Sequence, residues 1–142
     1  MVKLPFRSKP HADKTQRGAS AESLACQHLS QQGLDIVERN YRTQRGEIDI
    51  IARDGETLVF VEVRLRSNAS FGGAAQSIDA RKQARLINAA RHYLLKTGLT
   101  DAQPCRFDAI CMHTLDTHST DTSTTQDHDT IDWIRDAFRP EA

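Results

Sequence analysis

The twenty residues from Arg45 to Arg64, RGEIDIIARDGETLVFVEVR, constrain the fold of this chain more than any other stretch. Two runs rich in Ile, Val, Leu and Phe flank Asp54-Gly55, a dipeptide favoured in two-residue hairpin loops because both positions tolerate positive φ. With those two residues as the loop, Arg53 pairs with Glu56, Ile51 with Leu58, Asp49 with Phe60 and Glu47 with Glu62. Alternation then puts Glu47, Asp49, Ile51, Leu58, Phe60, Glu62 and Arg64 on one face. Ile48, Ile50, Ala52, Thr57, Val59, Val61 and Val63 occupy the other, which reads as core. Like charges across a ladder destabilise it, so three carboxylates gathered at the open end of a hairpin need a reason, and a divalent cation is the simplest. Register decides the matter, because a one-residue slip would send Glu62 and Arg64 to the opposite face.

Around this hairpin the pattern is that of an α/β domain. Ala21, Leu24, Ala25, His28 and Leu29 recur at helical spacing and predict a first helix over Ala19 to Gln32, closed by Gly33. Leu34 to Val37 leads into a strand that pairs with the first hairpin strand. A crossing over Leu65 to Gly73 precedes the longest helical pattern, from about Ser77 to Thr97. There Leu86, Ile87, Ala90, Tyr93 and Leu94 form an apolar stripe, read as core. Arg81, Arg85, Asn88, His92 and Lys96 form a solvent-facing row opposite it, with Lys82 at its edge. Cys105 to Met112 alternates as a strand, and Ile131 to Phe138 should dock as a short strand or turn of helix, with Trp133 in the core.

A chain of 142 residues suits a single domain. Residues 1–17 read as a flexible basic arm and residues 113–130, rich in Thr, Asp, Ser and His, as a flexible low-complexity insertion into a domain spanning 18–142. The net charge is zero, but residues 1–96 carry 16 Lys or Arg against 10 Asp or Glu, and residues 97–142 carry 3 against 9. A basic body suits an anionic partner such as nucleic acid, although ordinary surface charge explains it equally well. Cys26, Cys105 and Cys111 lack the spacing of a zinc site or disulfide framework, the latter two lying roughly 20 Å apart along one strand. The N-terminus lacks a signal-peptide core and no segment is suited to span a membrane, so a reduced cytoplasm is the expected location.

An acid in the first helix, an Asp in one hairpin strand and a Glu-x-basic triplet in the next resemble the PD-(D/E)xK nuclease layout, here Glu22, Asp49 and Glu62-Val63-Arg64. More closely, the chain resembles the YraN-like family of bacterial proteins, related in fold to archaeal-type Holliday junction resolvases. Gly18, Glu22, Asn40-Tyr41-Arg42, Gly46-Glu47-Ile48-Asp49, Phe60-Val61-Glu62-Val63-Arg64, Phe71-Gly72-Gly73, Lys82, Ala90 to Leu94, Arg106-Phe107-Asp108 and Ala137-Phe138 carry the resemblance. It implies a restriction-endonuclease-like mixed β-sheet of four to five strands flanked by helices. It also implies metal-dependent cleavage of DNA, with branched or recombination DNA as a substrate class and a homodimer as one assembly.

Phosphodiester hydrolysis needs an activated water and a counter-charge, which Mg²⁺ or Mn²⁺ supplies through oxygen ligands. Asp49 and Glu62 are the natural carboxylate ligands, with the Val63 carbonyl and Glu22 as additions. Glu47 is a fourth candidate whose alternative is pairing with Arg42 or Arg45. Arg64 stands where the superfamily places lysine; it stays protonated and serves phosphate binding rather than general-base chemistry. Lys82 has two readings, a migrated catalytic lysine or a phosphate anchor. Arg42, Arg45, Arg81, Lys82 and Arg85 would contact the nucleic-acid backbone without reading bases. The rival reading is a non-catalytic nucleic-acid-binding or scaffold module on a nuclease fold, and a protein-interaction domain recruited to DNA machinery is a third.

Overall fold

The computed structural model describes residues 13–66, 78–99, 102–113 and 130–140. The elements run α1 (Asp13–Gln31), β1 (Asp35–Thr43), β2 (Gly46–Asp54), β3 (Thr57–Arg66), α2 (Ala80–Lys96), β4 (Cys105–His113) and β5 (Thr130–Phe138). They build one open five-stranded sheet in the order β1-β2-β3-β4-β5. The first three strands form an antiparallel meander, α2 carries the chain across to β4 parallel to β3, and β5 returns antiparallel. The mixed sheet flanked by two helices is therefore as expected, and its terminal element is a full strand.

The hairpin forms with a different loop. Asp54 pairs with Thr57, Arg53 with Leu58, Ala52 with Val59, Ile51 with Phe60 and Ile50 with Val61, so the loop residues are Gly55 and Glu56. Gly55 takes φ +61°, while Glu56 is not among the positive-φ residues. That is the requirement of a loop with glycine first, a solution the Asp-Gly pair left open. Asp54 stays in the strand, where its carboxylate meets Arg106 at 2.8 Å. The change shifts β3 by two residues, which corrects the partners and keeps Ile51, Leu58 and Phe60 on one face and Ile50, Ala52, Val59 and Val61 on the other, whereas Ile48, expected with the latter set, packs in the α2-side cluster. Phe60 lies opposite Ile51 rather than Asp49, and the ladder ends at Ile50 and Val61, beyond which the Asp49 carboxylate accepts the Val63 N–H.

Both faces of the hairpin are core. On one, Ile51, Leu58 and Phe60 pack beneath Leu86, Ala89, Ala90 and Tyr93 of α2. On the other, Ile50, Ala52, Val59 and Val61 meet Ala21, Ala25 and Leu29 of α1. The acid-bearing face, read from sequence as partly apolar, is thus a buried face with its acids at the rim. Trp133 is half-buried against the α1-side cluster. Helix α1 begins at Asp13, so residues 13–17 of the expected arm are helical, whereas α2 begins at Ala80 rather than Ser77. The rest of the arm, most of the Leu65 to Gly73 crossing, Phe71-Gly72-Gly73 and nearly all of the 113–130 insertion lie outside the described residues.

Gly46 sets how closely α2 approaches the sheet. A Cβ built there would stand 1.8 Å from the Arg85 carbonyl oxygen, so only glycine lets the start of β2 touch the backbone of α2. This contact holds the first turns of α2 against the acidic end of the hairpin.

Candidate functional site

Four elements bring four charged groups together. Asp49 stands near the start of β2, and its Oδ2 accepts the Val63 N–H of β3 at 2.8 Å. Glu62, one residue before, is only 3% exposed. Its Oε1 meets the Lys82 Nζ of α2 at 2.8 Å. Lys82 occupies the first turn of α2, where its own N–H donates to the capping carboxylate of Asp79 at 2.8 Å. Asp79 therefore fixes the backbone from which Lys82 reaches Glu62. Glu22 of α1 adds its charge from the other side, while facing Arg39 at 3.9 Å.

The electrostatics are those of too much negative charge on too little water. Burial first, then the Glu62 carboxylate and, more weakly, Glu22 push Asp49 from its ordinary 3.8 up to about 7. The Val63 N–H and Lys82 oppose that rise without cancelling it. The hydrogen bond to Glu62 raises the pKa of Lys82 against the pull of its burial, with Asp49 adding to the effect and Arg64 opposing it. Lys82 is therefore held as an ammonium and cannot act as a base in this arrangement. Two hard oxygen donors with uncompensated charge fit Mg²⁺ or Mn²⁺, since a small hard cation takes one or two carboxylates and keeps several waters. Among the described residues, no group of three His, Cys, Asp or Glu side chains is placed to hold a metal ion. Asp49 and Glu62, with the Val63 carbonyl, are the donors that could do so.

The other sequence candidates fall into two groups. Arg64, one pleat beyond Glu62 on β3 and opposite Cys111, is half-buried, and its charge is felt at Lys82. Glu47 is not brought into the cluster. Its exposed carboxylate turns to Arg42 at 4.0 Å, an ion pair of little energetic weight. Arg42, Arg45, Arg81 and Arg85 are exposed, and the last two share the outer face of α2 with Lys82 nearby.

The sequence profile of the Uncharacterised protein family UPF0102 matches residues 21–112. A UPF0102 protein of Nitrosococcus oceani is 46% identical over 132 residues, 93% of this chain and 96% of its own length. One of Methylobacillus flagellatus is 48% identical over 87% of this chain and 96% of its own length, and one of Nitrosomonas europaea 48% over 86% and 92%. The chain belongs to the UPF0102 family. The part matched by the UPF0102 profile runs from α1 to β4, so it contains Glu22, Asp49, Glu62, Arg64 and Lys82 and leaves out β5.

Sequence reading missed two features of this UPF0102 chain. Asp108 is 1% exposed and accepts from Arg106 Nε, Trp133 Nε1 at 2.9 Å and the Asp136 N–H at 2.9 Å. Arg106 also reaches Asp54, so the network ties β2, β4 and β5 together. An acid in an otherwise apolar strand, two residues after an Arg, was the available signal. The second is the bond between the Tyr41 hydroxyl and His92 Nδ1, which joins β1 to α2 across 51 positions and has no local signature.

Proposed function

We propose that this protein is a metal-dependent nuclease that hydrolyses phosphodiester bonds of DNA. The observation that carries the reading is the pairing of half-buried Asp49 with buried Glu62, in which desolvation first and repulsion from Glu62 second leave Asp49 protonated up to about pH 7. A fold maintains such a pair at a cost, and perturbed carboxylates of this kind cluster at functional sites. Asp49, Glu62 and the Val63 carbonyl would hold Mg²⁺ or Mn²⁺, which supplies an activated water and a counter-charge for the phosphorane-like transition state. The Val63 N–H orients Asp49, and Lys82 keeps Glu62 from folding away into solvent. Arg64 and Lys82 offer fixed positive charge to the non-bridging phosphate oxygens. The resemblance to resolvases adds branched DNA as the preferred substrate, and the free thiols of Cys26, Cys105 and Cys111 suit the cytoplasm. No helix among the described residues is long and apolar enough to cross a membrane.

A second reading, a non-catalytic nucleic-acid-binding module, is favoured by one contact, the Lys82 ammonium already paired to Glu62. Incubation of labelled junction, flap and linear DNA with the protein in Mg²⁺ or Mn²⁺ separates the two. Metal-dependent cleavage that Asp49→Ala and Glu62→Ala abolish is the expected result. Binding with no cleavage, or cleavage that survives both substitutions, favours the module.

A further inference from the structure

The β1–β2 turn and the outer face of α2 enclose a second concavity, of about 290 Å³, lined by Arg42, Thr43, Gln44, Arg45, Asn88 and His92. No carboxylate lines it. Arg42 makes only its long, exposed contact with Glu47, and among the described residues the Arg45 side chain has no ion-pair partner. The turn that carries both arginines is well fixed. Thr43 Oγ1 accepts the Arg45 N–H at 3.1 Å and the Gly46 N–H at 3.0 Å and donates to the Gly46 carbonyl at 2.9 Å. Across the concavity, His92 is held by the buried Tyr41 hydroxyl on Nδ1. This bond fixes the orientation of the imidazole ring against the concavity. The concavity offers two guanidinium groups, the His92 imidazole and the Asn88 amide. Such a set of donors without acids matches the oxygens of a phosphodiester.

We propose that this concavity seats one backbone phosphate of a nucleic acid. Nucleic acid is favoured over an acidic peptide because the exposed row Arg81, Arg85, Asn88 and His92 runs unbroken along α2 from the residue next to Lys82. Ten residues of helix separate Lys82 from His92, a rise of about 15 Å, or roughly four base pairs of duplex. This spacing, though not the seat itself, rests on the cleavage reading of Asp49 and Glu62.

The test is binding of labelled duplex DNA without divalent metal, followed by fluorescence anisotropy as a function of salt, for wild type, Arg45→Ala and Asn88→Leu. Each substitution should weaken binding on the order of 5- to 10-fold at low salt, and Arg45→Ala, which removes a charge, should also reduce the slope of log affinity against log salt by about one, whereas Asn88→Leu leaves the slope unchanged. Thermal stability should not change, since both side chains are exposed. Unchanged affinity in both variants, or an unchanged slope in Arg45→Ala, overturns the seat, and displacement of DNA by polyglutamate assigns the concavity to acidic peptides. Wild type that binds with these signatures yet cleaves nothing in Mn²⁺ rejects the nuclease reading and supports the seat.

Discussion

At Asp49 a carboxylate is buried beside a second carboxylate, and the folded chain holds its proton up to about pH 7 against 3.8 for an ordinary aspartate. The folded state therefore binds this proton more tightly than the unfolded one between these values, and the contribution of Asp49 to stability falls as pH rises from about 4 to about 7. Asp49→Asn keeps an oxygen for the Val63 N–H and removes the charge. The variant should melt at a higher temperature than wild type at pH 8, while the two converge near pH 4, as thermal unfolding across that range will show. A stabilising substitution at a buried acid is the mark of a group retained for chemistry rather than for folding. Asp49 and Glu62 were legible because strand alternation is strict. The hold of Lys82 on Glu62 was not, because it depends on the closeness of α2 to β2 at Gly46, a contact of backbone with backbone that leaves no side-chain pattern.

Among the elements, α2 does most to complete the site. Its first turn is capped by Asp79, whose carboxylate accepts the Lys82 N–H, so the cap and the charged side chain share one residue. Asp79→Ala should cost about 1 kcal/mol, as cap losses do, and Asp79→Ser should recover most of it in chemical denaturation. The hairpin shows where sequence reading succeeds and where it stops. Parity fixed which residues share a face between Ile50 and Val61, and that survived a change of loop from Asp54-Gly55 to Gly55-Glu56 because the register moved by two, while Ile48 beyond the ladder turned to the α2 side. The loop itself was ambiguous, since Asp-Gly and Gly-x both form two-residue turns. The outer strands carry a further device. β1 shifts register between Ile36 and Glu38, β4 and β5 do so between Phe107 and Ala109, and Asn40 and Asp136 take φ of 54° and 53°. Irregularities of this kind blunt exposed sheet edges against pairing with another chain. They depend on backbone sterics at single positions and were invisible in the hydrophobic pattern.

Over the whole molecule, two apolar clusters sandwich the sheet, one under each helix, and the acids sit where β2 and β3 leave the protection of α2. The alternating apolar pattern foretold the sheet and its helices. The Arg106–Asp108–Trp133 network that fastens β5 to β4 went unread, because Trp133 and Asp136 lie 25 and 28 positions from Asp108 in sequence. The order of the chain thus reduces to one arrangement, in which an α/β sheet brings Asp49 and Glu62 together under one lysine with charge to spare. The most direct test of that claim is calorimetric titration of Mn²⁺ into wild type and Asp49→Asn at pH 8, where the Asp49 proton is gone. A single saturable site in wild type that the variant loses is the expected result. No saturable binding to wild type, or undiminished binding to the variant, would contradict it.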